Sequence, residues 1–263
     1  MKQLVKNALF SAGFHAGRHT QLDDLCRLLH SLQPVDCGRN LVRIGGDADG
    51  GYLLPDDLDG IEYCFSPGVS IIADFEDQLA DRGIHSFMAD YSVEAPPAMR
   101  PEFTFDRKFL GGCESDRFIT LEAWKQKYLA GYTGDMILQM DVEGCEYEVL
   151  LSTPESLLDQ FRIIVIEFHN LELLFEPYAF RLYNMAFEKL LRRFQVAHIH
   201  PNNWDKVTRY GNIEIPHMLE FTFYNRKRAQ PRGPAKAFPH PLDRDNVLDK
   251  PSVTLPRCWY SMA

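Results

Sequence analysis

The chain lacks an excess of basic charge: 28 Lys and Arg stand against 37 Asp and Glu, for a net charge of -9. Binding a phosphate backbone requires a basic patch, so nucleic acid is excluded as the main partner. The short run Arg226, Lys227 and Arg228 decorates the end of a strand. Paired cysteines are lacking too. Cys26, Cys37, Cys64, Cys113, Cys145 and Cys258 are scattered, without CxxC or zinc-type spacing. This pattern reads as free thiols in a reducing compartment, hence a cytoplasmic location. No apolar run reaches the length of a transmembrane segment. The opening stretch MKQLVKNALFSAGF is interrupted by Lys6 and Asn7 and predicts an amphipathic helix, not a signal peptide. A GxGxxG phosphate loop, internal repeats and low-complexity segments are also missing. The first of these absences counts against a nicotinamide-dependent oxidoreductase.

What is present is alternation. At 263 residues the chain has room for one large α/β domain. Met136 to Met140 is an apolar run of the length of a buried parallel strand; it ends on Asp141, Gly144 breaks it, and Cys145 to Leu151 reads as the start of a helix. Ligands in such sheets bind at the carboxyl ends of the strands, which makes Asp141 the leading functional candidate. Glu143 ranks second. Glu146 reads as a first-turn acid that complements the helix dipole.

The rest follows the same rhythm. Residues 1 to about 33 predict two short helices, closed by Pro34. Residues 41 to 60 place Gly45, Gly46, Asp47, Asp49, Gly50 and Gly51 between two apolar pieces, which fits either a hairpin or a ligand-contacting loop. A strand ending near Ser66, a turn at Pro67-Gly68, a helix over 72–82 and a strand over 85–89 lead to Asp90. That acid follows Gly68 at nearly the spacing expected of a ribose-binding acid. Further strands are predicted over 103–110, 162–168, 196–199, 213–216 and 218–225, with helices over 119–129 and 175–194. Four strand ends therefore carry polar groups: Asp90; Asp141 with Glu143; Glu167 with His169; and His200 with Asn202 and Asn203. Two histidines and several acids at consecutive strand ends point to a site.

Eight pieces carry a family resemblance: DGGYLLP (Asp49–Pro55), CFSPGVSIIADFEDQLA (Cys64–Ala80), FMADYS (Phe87–Ser92), FITLEAW (Phe118–Trp124), MDVEGCEYEVL (Met140–Leu150), IVIEFH (Ile164–His169), HPNNW (His200–Trp204) and MLEFTFYNR (Met218–Arg226). Together they resemble FkbM-type, S-adenosylmethionine-dependent methyltransferases. The resemblance implies a Rossmann-like class I fold: a mostly parallel seven-stranded sheet with an antiparallel last strand, helices on both faces, and N-terminal helices added. It implies an N-terminal helical segment over 1–40, a methyltransferase domain over 41–226 and an extended C-terminal tail over 227–263.

By position, Asp49, Gly50, Tyr52, Ser66, Gly68, Glu76, Asp90 and Asp141 are implied to bind S-adenosylmethionine. Ser66-Pro67-Gly68 departs from the glycine pair of many relatives, and Pro67 lacks one backbone N–H there. The expected reaction is O-methylation of a hydroxyl on a small-molecule or glycan acceptor, most simply a carbohydrate or glycoconjugate. Asp141, His169, Glu143 and His200 are the catalytic candidates, with His169 or His200 as base. The other route is Mg²⁺ or Mn²⁺ assistance through Asp141, Glu167 and His169. Phe175, Tyr178, Phe180, Tyr183 and Trp204 are aromatic candidates for a sugar ring. A non-catalytic Rossmann-like binding protein is the rival reading, and assembly into a homo-oligomer is left open.

Overall fold

In the computed structural model, residues 17–235 and 237–261 are described; the first of the two expected N-terminal helices lies outside them. Seven strands make the central sheet: β1 (Tyr63–Pro67), β2 (His85–Ala89), β3 (Phe103–Asp106), β4 (Met136–Met140), β5 (Phe161–Phe168), β6 (Phe194–Pro201) and β7 (Leu219–Asn225). Their spatial order is β3-β2-β1-β4-β5-β7-β6. β3, β2, β1, β4 and β5 run parallel, and β7 is antiparallel to both its neighbours. The last strand is thus antiparallel, as expected, and wedged between β5 and β6.

The strands read as nearly unbroken apolar runs because both faces of the sheet are covered. One face carries Phe65, Leu138, Ile164, Ile166 and Phe221. It packs under α1 (Leu22–Ser31), α3 (Leu121–Leu129), α4 (Glu146–Ser152) and α5 (Pro177–Leu191). The opposite face carries Ile137, Ile163, Val165 and Tyr224, and packs under α2 (Asp74–Ala80) and the hairpin of Leu41–Ile44 with Tyr52–Pro55. Thr120 caps α3 by accepting from the Ala123 N–H, as its position predicts.

Local pattern misplaces several boundaries. The segment 103–110 is two elements, since Phe109–Leu110 leaves the sheet to pair with Phe118–Ile119. β6 is longer than the expected 196–199. Ile213–Pro216 pairs with Val207–Tyr210 outside the sheet. The long helix begins at Pro177, the favoured first position for proline, after a 3-10 turn over Leu171–Phe175. The tail runs back along the domain: Gly233–Pro234 pairs with Val35–Asp36. Asn203 exchanges hydrogen bonds with Val247, donating to its carbonyl and accepting from its N–H, both at 2.8 Å. None of the helices among the described residues is long and apolar enough to cross a membrane. All six cysteines are free thiols.

Candidate active site

The site lies at the carboxyl ends of β1, β2, β4, β5 and β6, where the amino end of the antiparallel β7 joins them. β1 and β4 approach closely there. Gly68 has φ +89°, and a Cβ on it would fall 1.5 Å from the Asp141 carbonyl oxygen, so only glycine fits. Among the described residues three non-glycine positions also have positive φ: Ser70 (44°), Glu143 (53°) and Asn170 (56°). Each follows a strand that ends at the site, as strained backbone at functional positions often does.

Three clefts meet at Asp141 and Glu143. The first, about 450 Å³ and largely apolar, is bordered by Gly68, Asp90, Phe109, Leu110 and Phe118. Asp90 is buried and accepts from the N–H groups of Ser70 (2.9 Å) and Ser92 (2.7 Å) and from the Ser92 hydroxyl (2.6 Å), which fixes its carboxylate at the cleft wall. The second, about 320 Å³, is lined by Asp49, Gly50, Tyr52, Gly68, Glu76 and Gln139. The hairpin turn is therefore both a hairpin and a cleft wall. The third, about 360 Å³, is lined by Asp49, Glu167, His169, Asn202, Trp204 and Asn246.

A buried polar chain underlies the second cleft. Glu76 hydrogen-bonds the Ser66 hydroxyl, which lies 2.7 Å from Gln139 Oε1, and Gln139 Nε2 donates to the Tyr52 hydroxyl at 3.2 Å. Burial raises Glu76 to about 7, beyond what the Ser66 bond offsets. Protonated, it donates to Ser66, which frees the Ser66 proton for Gln139. Ser66 is fully buried and reaches the cleft only through these neighbours.

The third cleft is bordered by His169. His169 Nδ1 lies 2.9 Å from Glu146 Oε1, which also accepts from the Gly144 N–H at 2.9 Å. Glu146 is wholly buried. It is more than a first-turn acid serving the helix dipole: the helix start aims it at β5, and it fixes the imidazole. Nε2 is thereby turned toward Glu167 Oε1 (3.4 Å), Glu143 Oε2 (3.5 Å) and Asp141 Oδ1 (3.8 Å). Burial works against the imidazolium, but the Glu146 bond and the surrounding carboxylates outweigh it and raise His169 to about 9. Burial, only partly offset by His169, lifts Asp141 to about 8. Glu167 is pushed well up by burial and by repulsion from Asp141 and Glu220.

The motif HPNNW resolves into separate duties. His200 opposes Glu220 in register on β7 and lies 3.6 Å from Asp243 of the tail, too long for a hydrogen bond. Both its ring nitrogens are without hydrogen-bond partners, and it faces these two acids. Asn202 donates to both oxygens of Glu167 at 3.2 and 3.0 Å. Trp204 stands exposed at the cleft mouth with the Lys250 ammonium 3.7 Å from its ring centroid. Of the other aromatics, Tyr183 is stacked on Tyr147 at 3.5 Å and Phe175 is buried in the core; both serve packing.

Asp141, Glu167 and His169 offer ligand atoms within 4.8 Å of one another, so a hard cation fits that set. Holding it would use the Nε2 lone pair, the same lone pair a base needs. Three participants carried no local signal: Glu220 inside β7, and Asp243 and Asn246 in the tail. Asn246 Nδ2 donates to Glu220 (2.6 Å) and Asp49 (3.1 Å). Asp243 pairs with His198 at 2.7 Å.

A Rossmann-like sheet with a pair of clefts opening onto a polar one has the layout in which such sheets bind ligands at the carboxyl ends of their strands. Residues 126–199 match the family model of the Methyltransferase FkbM domain, as the resemblance led us to expect. That stretch contains β4, α4, β5 and α5, and with them Asp141, Glu143, Glu146, Glu167 and His169. The match spans 74 of the chain's 263 residues. No curated protein matches the chain.

Proposed function

We propose that the protein is an S-adenosylmethionine-dependent O-methyltransferase acting on a hydroxyl of a carbohydrate or glycoconjugate. The observation that carries this reading is the meeting of three clefts at Asp141, with His169 held by Glu146 on the third. Asp90 would take the ribose hydroxyls beside Phe109 and Phe118. Asp49, Gly50, Tyr52 and Gly68 would line the methionine portion. The cofactor supplies an electrophilic methyl on a positively charged sulfur, and Asp141 stands where that charge would sit.

The protein's task is then alignment and proton removal. When the cofactor is bound, the acceptor oxygen would bond to its methyl carbon, the carbon–sulfur bond breaking with its electron pair left on sulfur. The hydroxyl proton passes to Nε2 of neutral His169, a form that gains population as pH rises toward about 9. Glu146 keeps Nδ1 protonated and stabilises the imidazolium that results, as the acid of a triad does. Trp204 offers a flat apolar face at the mouth, while Asp49, Glu167 and Asn202 supply the hydrogen-bonding groups a polyol needs.

Calorimetry with S-adenosylmethionine tests the cofactor, and the absence of binding by folded protein refutes it. Transfer of labelled methyl to sugars and polyols, compared with amines and thiols, tests the acceptor class.

A further inference from the structure

We propose that Asp49, Glu167 and Glu220, bridged by Asn246 of the tail, form a binding site for a hard divalent cation of the Mg²⁺ or Mn²⁺ type. The three carboxylates present oxygens within 4.8 Å of one another. Glu167 and Glu220 are direct register partners across the antiparallel β5–β7 pair, and both are buried. Like charges directly opposite each other on a sheet are destabilising, and buried charge is costly without a partner. Among the described residues no Lys or Arg forms an ion pair with any of the three; the cationic contact they have is His169 Nε2, 3.4 Å from Glu167. Arg43 is tied to the carbonyls of Gly46 and Ala48 at 2.7 and 3.0 Å.

Two further side chains point to a ligand. Asn246 is 7% exposed and borders the cleft, and its Oδ1 has no hydrogen-bond partner, while its Nδ2 contacts both Glu220 and Asp49. A half-turn of that amide presents Oδ1 to the same point as a fourth oxygen. His200, 8% exposed, has no hydrogen-bond partner at either nitrogen, with Asp243 at 3.6 Å, and faces Glu220 from β6. Carboxylates and an amide oxygen suit Mg²⁺ or Mn²⁺ over zinc. Asn202 orients Glu167 from behind, as second-shell partners do for metal-binding carboxylates. The site leaves His169 Nε2 free, unlike the set of Asp141, Glu167 and His169.

The site shares Asp49 and Glu167 with the clefts proposed for cofactor and acceptor, and its test needs no turnover. Mn²⁺ is titrated into the full chain by calorimetry, with bound metal read by electron paramagnetic resonance. One ion per chain is expected. Asp49→Asn and Glu220→Gln each weaken binding by about tenfold or more, and His169→Ala binds as the wild type does. Gln matches the shape of Glu220; should it fail to fold by circular dichroism, Asp49→Asn, on an exposed turn, decides. The proposal is overturned if folded wild type takes up no Mn²⁺ at millimolar concentration. It is equally overturned if binding survives Asp49→Asn, or is lost with His169→Ala alone.

Discussion

Glu146 and His169 come from the first turn of α4 and the end of β5, and meet at 2.9 Å with Glu146 wholly buried. The pair gives a polar contact in a largely apolar layer a purpose: it holds one imidazole nitrogen so that the other faces the cleft. His169→Ala should lower kcat by about 10²–10⁴-fold, the usual contribution of a positioned base. Glu146→Gln retains the shape but loses the negative charge, and should lower kcat at least about tenfold with the cofactor dissociation constant unchanged. Steady-state kinetics beside calorimetry separate the two effects; an unchanged kcat in Glu146→Gln removes that residue from the mechanism.

Gly68 has no room for a side chain. Gly68→Ala must displace the Asp141 carbonyl and adopt an unfavourable φ. The variant should melt several degrees lower and lose cofactor binding, since Gly68 and Asp141 border both clefts proposed to hold it. Thermal melts with and without the cofactor check both.

Glu76 makes stability depend on pH. Its folded pKa, about 7, lies above the unfolded carboxyl value, so the folded state holds the proton more tightly. The stabilisation is complete below the unfolded value and is lost as pH rises through 7. Its full size is roughly 3 kcal/mol at 1.36 kcal/mol per unit. Glu76→Gln mimics the protonated acid, so urea unfolding between pH 5 and 8 should show a flatter profile than the wild type; an identical slope would falsify this assignment.

Asp243 ties the tail to β6 through buried His198 and His200. Burial opposes its charge, yet the two histidines hold its carboxyl below the usual range. Asp243→Ala leaves two buried imidazoles without their acid and should cost about 1–3 kcal/mol in chemical denaturation. It should also loosen Asn246 and Val247, so that limited proteolysis cuts the tail sooner.

Much of this architecture could be read locally. β4 and β5 are buried on both faces and so spell continuous apolar runs, and the polar residues that end them announce the site edge. The helix start at Thr120 carries its own cap. Glu146 could not be placed in this way, because an acid in a first helical turn has the same local signature whether it serves the dipole or a histidine 23 residues later. Glu220 has a similar history: one acid inside MLEFTFYN gains meaning only when β7 inserts between β5 and β6 and brings it opposite Glu167 and His200.

Composition and periodicity alone were enough for the α/β class and the strand-end acids, because burial on two faces and turn chemistry act over a few residues; the seven-stranded sheet came from the family resemblance. Local pattern also sufficed to put Asp141, Glu167 and His169 at the strand ends. Which of them touch, and what else joins them, was decided by tertiary packing. Electrostatic and hydrogen-bond contacts depend on distances of 3–4 Å between segments far apart in the chain, and no short window of sequence encodes those distances. Glu146 behind His169, and Asn246 above Glu220, are products of the fold.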